Sequence, residues 1–135
     1  MMVFRSLLFV PGNRLNMLEK AIGLTPDAFI PDLEDSVPLK EKVIARRTVS
    51  DHLPRLARSR IVVIPRVNAR ESGLLEDDLA SLVSHHVYGV SVGKIKSAED
   101  VLYISDLLAQ QEKLAGLEIG FTKLILWIET ALAVV

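Results

Sequence analysis

Short apolar runs alternate along this chain with stretches whose apolar residues recur at helical spacing. Ser6 to Val10 reads as a strand, ended by Pro11-Gly12-Asn13. Arg14 to Ile22 follows as a helix with Asn13 as its N-cap. Asp27-Ala28-Phe29-Ile30 leads a second strand into Asp32-Leu33-Glu34-Asp35. Pro38 then opens a helix to about Leu53, because proline suits a first helical turn, and Pro54 closes it. Ile61 to Val67 is a β-branched third strand, in which Pro65 marks a bulge or the strand end. Glu71 to Ser84 carries Leu74, Leu75, Leu79, Leu82 and Val83 on one helical stripe. Tyr88 to Val92 is a fourth strand. Ser97 caps a helix from about Ala98 to Ala115, with Asp100 at capping-box spacing. Gly116 ends it, and Leu124 to Ile128 is a fifth strand. Ala131-Leu132-Ala133-Val134-Val135 begins one more helical turn.

Five strands joined by four helices predict right-handed crossovers and a parallel α/β sheet. The pattern alone does not separate an open doubly wound sheet from a barrel. Neither G-x-G-x-x-G nor a P-loop is present, which argues against a nucleotide-binding version. The chain has 135 residues, one domain at most, whereas an eight-stranded α/β barrel needs about 250. Half of its residues are hydrophobic and mean hydropathy is +0.32. That suits strands buried on both faces, and equally a piece of a larger barrel with one core face uncovered. A helix of one turn is not stable alone, so the final run leads us to expect the N-terminal part of a longer protein.

Composition narrows the function classes. A net charge of -1 gives no basis for nucleic-acid binding. There is no cysteine, which removes disulfides, thiolate metal sites and a cysteine nucleophile and is compatible with a cytoplasmic location. No apolar run approaches the roughly 18 residues of a membrane span. Leu7-Leu8-Phe9-Val10 is too short for a signal-peptide core.

In either α/β arrangement the chemistry sits at the strand C-terminal ends. Those ends read Pro11-Gly12-Asn13-Arg14, Asp32-Leu33-Glu34-Asp35, Arg66-Val67-Asn68, Gly93-Lys94 and Glu129. Carboxylates there suit a hard divalent cation, and a guanidinium grips a carboxylate with two parallel bonds. Each group also has a plainer reading: a solvated capping loop for residues 32–35, a rim salt bridge for Arg66, a structural ion pair for Glu129. His52, His85 and His86 form no ligand pattern. Trp127 reads as core, and Glu76-Asp77-Asp78 as a solvated helix face.

Taken together and in order, certain segments resemble the citrate lyase beta-subunit family of the HpcH/HpaI aldolase group. They are residues 5–13 (Arg5 to Asn13), Asp32 to Val37 with Lys42 and Ala45-Arg46, Arg66-Val67-Asn68, and Thr122-Lys123 through Glu129 to Leu132. The resemblance implies a TIM-type (β/α)8 barrel, of which residues 1–135 would supply about the first five β/α units as a single, incomplete domain. It implies Mg2+-dependent carbon–carbon cleavage of a hydroxy-acyl thioester, citryl-type and carried on coenzyme A or an acyl carrier protein, to a ketoacid and an acetyl thioester. Residue by residue, Glu129 resembles a Mg2+ carboxylate and Arg66 the substrate-gripping arginine. Glu34 and Asp35 resemble the acidic pair at the second strand end. Arg14 and Lys20 would meet the carrier phosphates, Asn68 and Lys94 the substrate or carrier, and Arg5 is structural. Where the family's fourth strand ends Leu-Pro-Lys this chain has Val92-Gly93-Lys94, and the second metal carboxylate is expected beyond Val135. Family members assemble as trimers, hexamers or larger lyase complexes. A malyl- or citramalyl-CoA lyase or thioesterase is the alternative within the group, and a non-catalytic half-barrel assembly module the alternative outside it.

Overall fold

A computed structural model describes residues 3–58 and 61–134. Val135, the last residue of the predicted final helix, lies outside them. The elements are β1 (Leu7–Pro11), α1 (Leu15–Ala21), β2 (Ala28–Asp32), α2 (Lys42–Ala57), β3 (Val62–Val63), β4 (Arg66–Val67), α3 (Leu75–Leu82), β5 (Gly89–Val92), α4 (Ala98–Leu114), β6 (Lys123–Leu126) and α5 (Ala131–Val134). Every strand pairing is parallel, and the sheet order is β1-β2-β4-β5-β6, with β3 also on β2. Neighbours in the sheet are therefore neighbours in sequence. A doubly wound sheet reverses its order at a switch point; this one does not, which settles the alternative the sequence left open. The sheet is an arc of a TIM-type barrel.

The two faces of the arc are segregated by the alternation of side chains along each strand. Leu8 and Val10, Phe29, Val63, Val67, Val90 and Val92, and Leu124 and Leu126 point into the helix layer, where they meet Leu18, Leu53, Leu79, Leu82 and Ile104. Burying each such large aliphatic side chain contributes about 1.5–3 kcal/mol. Ala28, Ile30 and Ile64, with Phe4, Val62, Tyr88 and Ile125, form a smaller cluster on the other face. That face is concave. Phe9 of β1 and Trp127, just past β6, belong to opposite ends of the strand order, yet their ring centroids are 5.7 Å apart. Trp127 Nε1 also donates to Ser91 Oγ of β5. Trp127 is thus an interior residue of the arc rather than part of the helix-side core.

Two local expectations are corrected, and the interruption expected at Pro65 is located. Asn13 does not cap α1; Arg14 occupies the N-cap without a side-chain bond, because the Asn13 amide donates to Glu41 instead. Pro54 does not end α2, which continues to Ala57. Pro54 is exposed and Leu53 and Leu56 on either side of it are buried, so packing outweighs the one missing backbone bond. The third strand is split into β3 and β4 at Ile64-Pro65. Pro65 has no N–H to give the ladder, but its carbonyl still accepts from Ser91 N at 2.8 Å.

At the N-terminal ends of the strands Arg5 plays the structural part expected of it. Asp27 accepts from the Arg5 and Ser6 backbone N–H groups and from the Arg5 guanidinium, which ties β1 to β2. Glu112 of α4 performs a similar task out of solvent. It is 1% exposed and accepts from Gly120 N at 2.8 Å and Thr122 N at 2.6 Å, fixing the turn into β6. Replacing it leaves a buried N–H unpaired, so we expect Glu112→Ala to lower unfolding free energy by about 2 kcal/mol. Urea unfolding of the two proteins measures this; equal midpoints would show that the turn does not depend on the carboxylate.

Candidate active site

The loops at the strand C-terminal ends are built by short polar side chains turning back on their own backbone. Asp32 ends β2, and its carboxylate accepts from Glu34 N at 2.8 Å and Ser36 N at 3.2 Å, an Asx-type turn. Lys42 reaches over from α2 and donates to the carbonyls of Leu33 (2.7 Å) and Glu34. Burial pushes its ammonium pKa down, against the pull of the acids around it, Glu34 foremost. The turn is further pinned by Leu33 N donating to Arg66 O at 2.8 Å.

This frame delivers Glu34, 4% exposed, to the centre of an ion cluster. One of its oxygens meets Arg66 Nη2 and the other meets Lys94 Nζ. Asp35 repeats the pattern at the exposed rim, 3.1 Å from Arg66 Nη2 and 3.0 Å from Lys94 Nζ. Glu129 Oε1 approaches Arg66 Nη2 at 3.8 Å and accepts from the backbone N–H of Lys94 at 3.0 Å. Glu34, Asp35, Arg66, Lys94 and Glu129, which sequence reasoning placed at four different strand ends, therefore converge. Arg66 uses one terminal nitrogen for all three carboxylates; its Nη1 has no partner among the described residues and is not a buried orphan.

Gly93 is what allows Glu129 this position. A Cβ there would fall 2.6 Å from Glu129 Oε1 and 3.3 Å from Arg66 Nη2. Lys94 follows in the left-handed region, φ 58°, and its N–H donates to Glu129 Oε1. Asp100 holds this loop from α4: it accepts from Lys96 N and from the Arg70 guanidinium, each at 3.0 Å. Ser97 caps the helix as expected, its Oγ accepting from Asp100 N.

The remaining candidates lie elsewhere. Asn68 lines an open cleft of about 320 Å³ beside Glu34, Asp35 and Lys94, with its amide nitrogen committed to Asp78. Arg14 is exposed at the start of α1, past the end of β1. Lys20 sits in the last turn of α1; since that helix runs back from the rim, the ion cluster does not include it. Asp78 corrects the sequence reading. It is fully buried, not on a solvated face, and accepts from Arg46 Nε, Asn68 N and Asn68 Nδ2 at 2.7, 2.9 and 2.7 Å. The signal was present, since Asp78 falls three residues after Leu75 and four before Leu82, on the apolar stripe. Lys42 and Asp32 were missed as site builders because their partners are backbone atoms of a loop whose path the sequence does not give.

Among the described residues no three His, Asp or Glu side chains are grouped to hold a metal ion. Glu34 and Asp35 are neutralised by cations. Glu129 is half-exposed and keeps one oxygen without a partner among the described residues. The donors present thus fit one carboxylate position of a Mg2+ site, a metal satisfied by one or two carboxylates plus water and substrate oxygens.

A parallel, singly wound arc with its charged cluster at the strand C-terminal ends has the architecture of a TIM-barrel enzyme. The HpcH/HpaI aldolase/citrate lyase family matches residues 5–135, and the chain belongs to it. It is 41% identical over 132 residues to the citrate lyase subunit beta of Haemophilus influenzae, covering 96% of this chain and 45% of that protein. It is 38% identical over 105 residues to a (3S)-malyl-CoA thioesterase of Cereibacter sphaeroides, covering 78% of this chain and 37% of the relative. Among solved structures, the Haloferax volcanii malate synthase magnesium/glyoxylate complex superposes with a TM-score of 0.89 at 18% identity, covering 98% and 44% of the two chains. The citrate lyase beta subunit from M. tuberculosis, complexed with oxaloacetate and magnesium, superposes with a TM-score of 0.60 at 26% identity, covering 93% and 48%. The chain spans less than half the length of these proteins. No helix among the described residues is long and apolar enough to cross a membrane.

The cluster has a pH signature. The Lys94 ammonium is pushed from 10.5 up to about 12 by its hydrogen bonds to Glu34 and Asp35, and Asp35 is held below the ordinary 3.8, chiefly by its hydrogen bond from Lys94. Lys94 binds its proton more tightly folded than unfolded, so its stabilising contribution is complete below pH 10.5 and lost as pH rises through about 12. Asp35 contributes above its ordinary value and loses the contribution as pH falls. We expect Lys94→Met to flatten the fall in stability between pH 10.5 and 12. Chemical unfolding across that range checks it, and parallel profiles for the two proteins would contradict the pairing.

Proposed function

We propose that the protein carrying this chain is a Mg2+-dependent carbon–carbon lyase acting on a hydroxy-acyl thioester, with citryl-type thioesters on coenzyme A or an acyl carrier protein as its substrate class. The observation that carries the reading is the convergence of Glu34, Arg66, Lys94 and Glu129 at one strand-end rim, in a chain 41% identical to a citrate lyase beta subunit.

Arg66 is the group that binds and orients substrate. Its Nη2 is fixed by three carboxylates, which leaves Nη1 to pair with an acyl carboxylate or a carbonyl oxygen that gains charge. Glu34 and Asp35 act through Arg66 and Lys94, restricting the two cations so that little reorganisation is left for the reaction. In the cleavage the substrate hydroxyl loses its proton, the carbon–carbon bond breaks to give the ketoacid carbonyl, and its electron pair passes to the thioester enolate, which takes up a proton to become the acetyl thioester. Glu129 is the residue that would hold Mg2+, and a bound Mg2+ supplies Lewis-acid polarisation of substrate oxygens. A second carboxylate ligand, homo-oligomeric assembly as a trimer, hexamer or larger lyase complex, and a cytoplasmic location complete the proposal.

Thioester hydrolysis is the second reading, favoured by the 38% identity to a malyl-CoA thioesterase. Products separate the two: a ketoacid with acetyl thioester marks the lyase, free hydroxy acid with free carrier thiol marks the thioesterase. With the natural full-length protein we expect Mg2+-dependent cleavage, a loss of about 10²–10³-fold in kcat/KM for Arg66→Ala, and a raised Mg2+ requirement for Glu129→Gln. Cleavage that survives both substitutions, or that ignores chelation of Mg2+, would sink the assignment. Residues 1–135 alone supply one candidate ligand and are expected to bind Mg2+ weakly by calorimetry.

A further inference from the structure

Gly93 is buried just past β5, and its own backbone does not call for glycine. The described glycines with positive φ are Gly73, Gly116 and Gly120; Gly93 lies outside that region, so its φ accepts a side chain. The fold around it does not call for glycine either. At Gly12 and Gly89 a Cβ would run into main-chain carbonyls, those of Asp32 and Lys123. At Gly93 the atoms within reach of a Cβ are Glu129 Oε1 at 2.6 Å, Arg66 Nη2 at 3.3 Å and Glu129 Cδ at 3.8 Å. All three belong to the ends of long side chains, which can swing away. Glycine at 93 therefore serves the placement of one carboxylate and not the shape of the chain.

That placement divides the work of the two carboxylate oxygens. Oε1 accepts from the Lys94 N–H at 3.0 Å and lies 3.8 Å from Arg66 Nη2. Oε2 has no partner among the described residues, and the side chain is 41% exposed. The carboxylate is thus anchored by one oxygen and offers the other. A glutamate this exposed otherwise samples many rotamers. Fixing it before a cation arrives removes part of the ordering cost of binding. A donor that holds a ligating carboxylate from behind is commonly responsible for about 10–100-fold in metal affinity.

We infer that Gly93 and the backbone N–H of Lys94 are positioning elements for Glu129, holding Oε1 so that Oε2 is presented to a divalent cation, and that glycine at 93 thereby sets the affinity for Mg2+. The inference rests on the Mg2+ reading above. Both elements act through Glu129.

The test uses the natural full-length protein without substrate. Mg2+ is titrated by calorimetry into the unchanged protein, Gly93→Ala and Glu129→Gln, and the metal-free thermal unfolding of each is recorded. Hydrogen exchange of the Lys94 amide is followed by NMR in the unchanged protein, with and without Mg2+. Labelling glycine carbonyls with 13C and lysine nitrogens with 15N selects it, since Gly93-Lys94 is the only Gly-Lys step in these 135 residues. Its disappearance in Gly93→Ala confirms the assignment. We expect Gly93→Ala to raise the Mg2+ dissociation constant about 10–100-fold with little change in the unfolding midpoint. We expect the Lys94 amide to exchange no faster when Mg2+ is bound. Faster exchange with Mg2+, or tighter binding by Gly93→Ala, would show that the N–H competes with the cation for Glu129 and overturns the inference. Equal affinity overturns it too, while the Mg2+ reading stands. Should Gly93→Ala unfold early, the amide measurement on the unchanged protein decides. If the unchanged protein binds no Mg2+, or Glu129→Gln binds it equally well, the assignment of Glu129 falls and the inference with it.

Discussion

Glu34 is the constraint on which the rim depends. A carboxylate 4% exposed is costly to ionise unless cations meet it, and both of its oxygens are met, by Arg66 from β4 and Lys94 from the β5 loop. The partners come from two successive strands, so the pairings fix the loops after β2, β4 and β5 relative to one another. Glu129 adds the loop after β6 through the Lys94 N–H and, more distantly, Arg66. Removing one partner would leave an uncompensated buried charge, a larger loss than the pair's own net contribution. These pairings tie together the loops after β2, β4, β5 and β6.

The same device recurs away from the rim. Asp27 holds the Arg5 and Ser6 N–H groups and the Arg5 guanidinium. Asp78 holds Asn68 N and Arg46. Asp100 holds Lys96 N and Arg70, and Arg70 in turn stacks over Tyr103. In each case one carboxylate satisfies loop backbone donors and an arginine balances its charge. Loops made this way keep their shape without a large apolar core beneath them, which is what a site built from strand-end loops requires.

The concave face is the counterpart of this polar rim. Phe9 and Trp127 meet across it, Ile30 and Ile64 pack beneath it, and Leu7 and Phe9 remain partly open to solvent. The curvature brings the ends of β1 and β6 near enough for their aromatic rings to touch, and the same curvature brings Glu129 back toward Arg66. Fold and site are one geometric fact here, because a flat sheet of these strands would hold the rim residues apart.

The sequence by itself determined the elements. Periods of two and of 3.6 residues are local properties, so the strands, the helices, the parallel topology and the charged strand ends were legible, as was the family from ordered motifs. Boundaries that depend on distant packing were not: α2 runs through Pro54 because Leu53 and Leu56 are buried, and Asn13 abandons its cap for Glu41, 28 residues away. The position of Asp78 on the apolar stripe was legible, but its partners come from α2 and the β4 end and only the fold brings them within 3 Å. The tertiary structure alone decided that the strands wind in one direction and that Gly93 leaves room for the Glu129 carboxylate. Each of these is a relation between segments far apart in the chain, and no local pattern of residues encodes the distance between them.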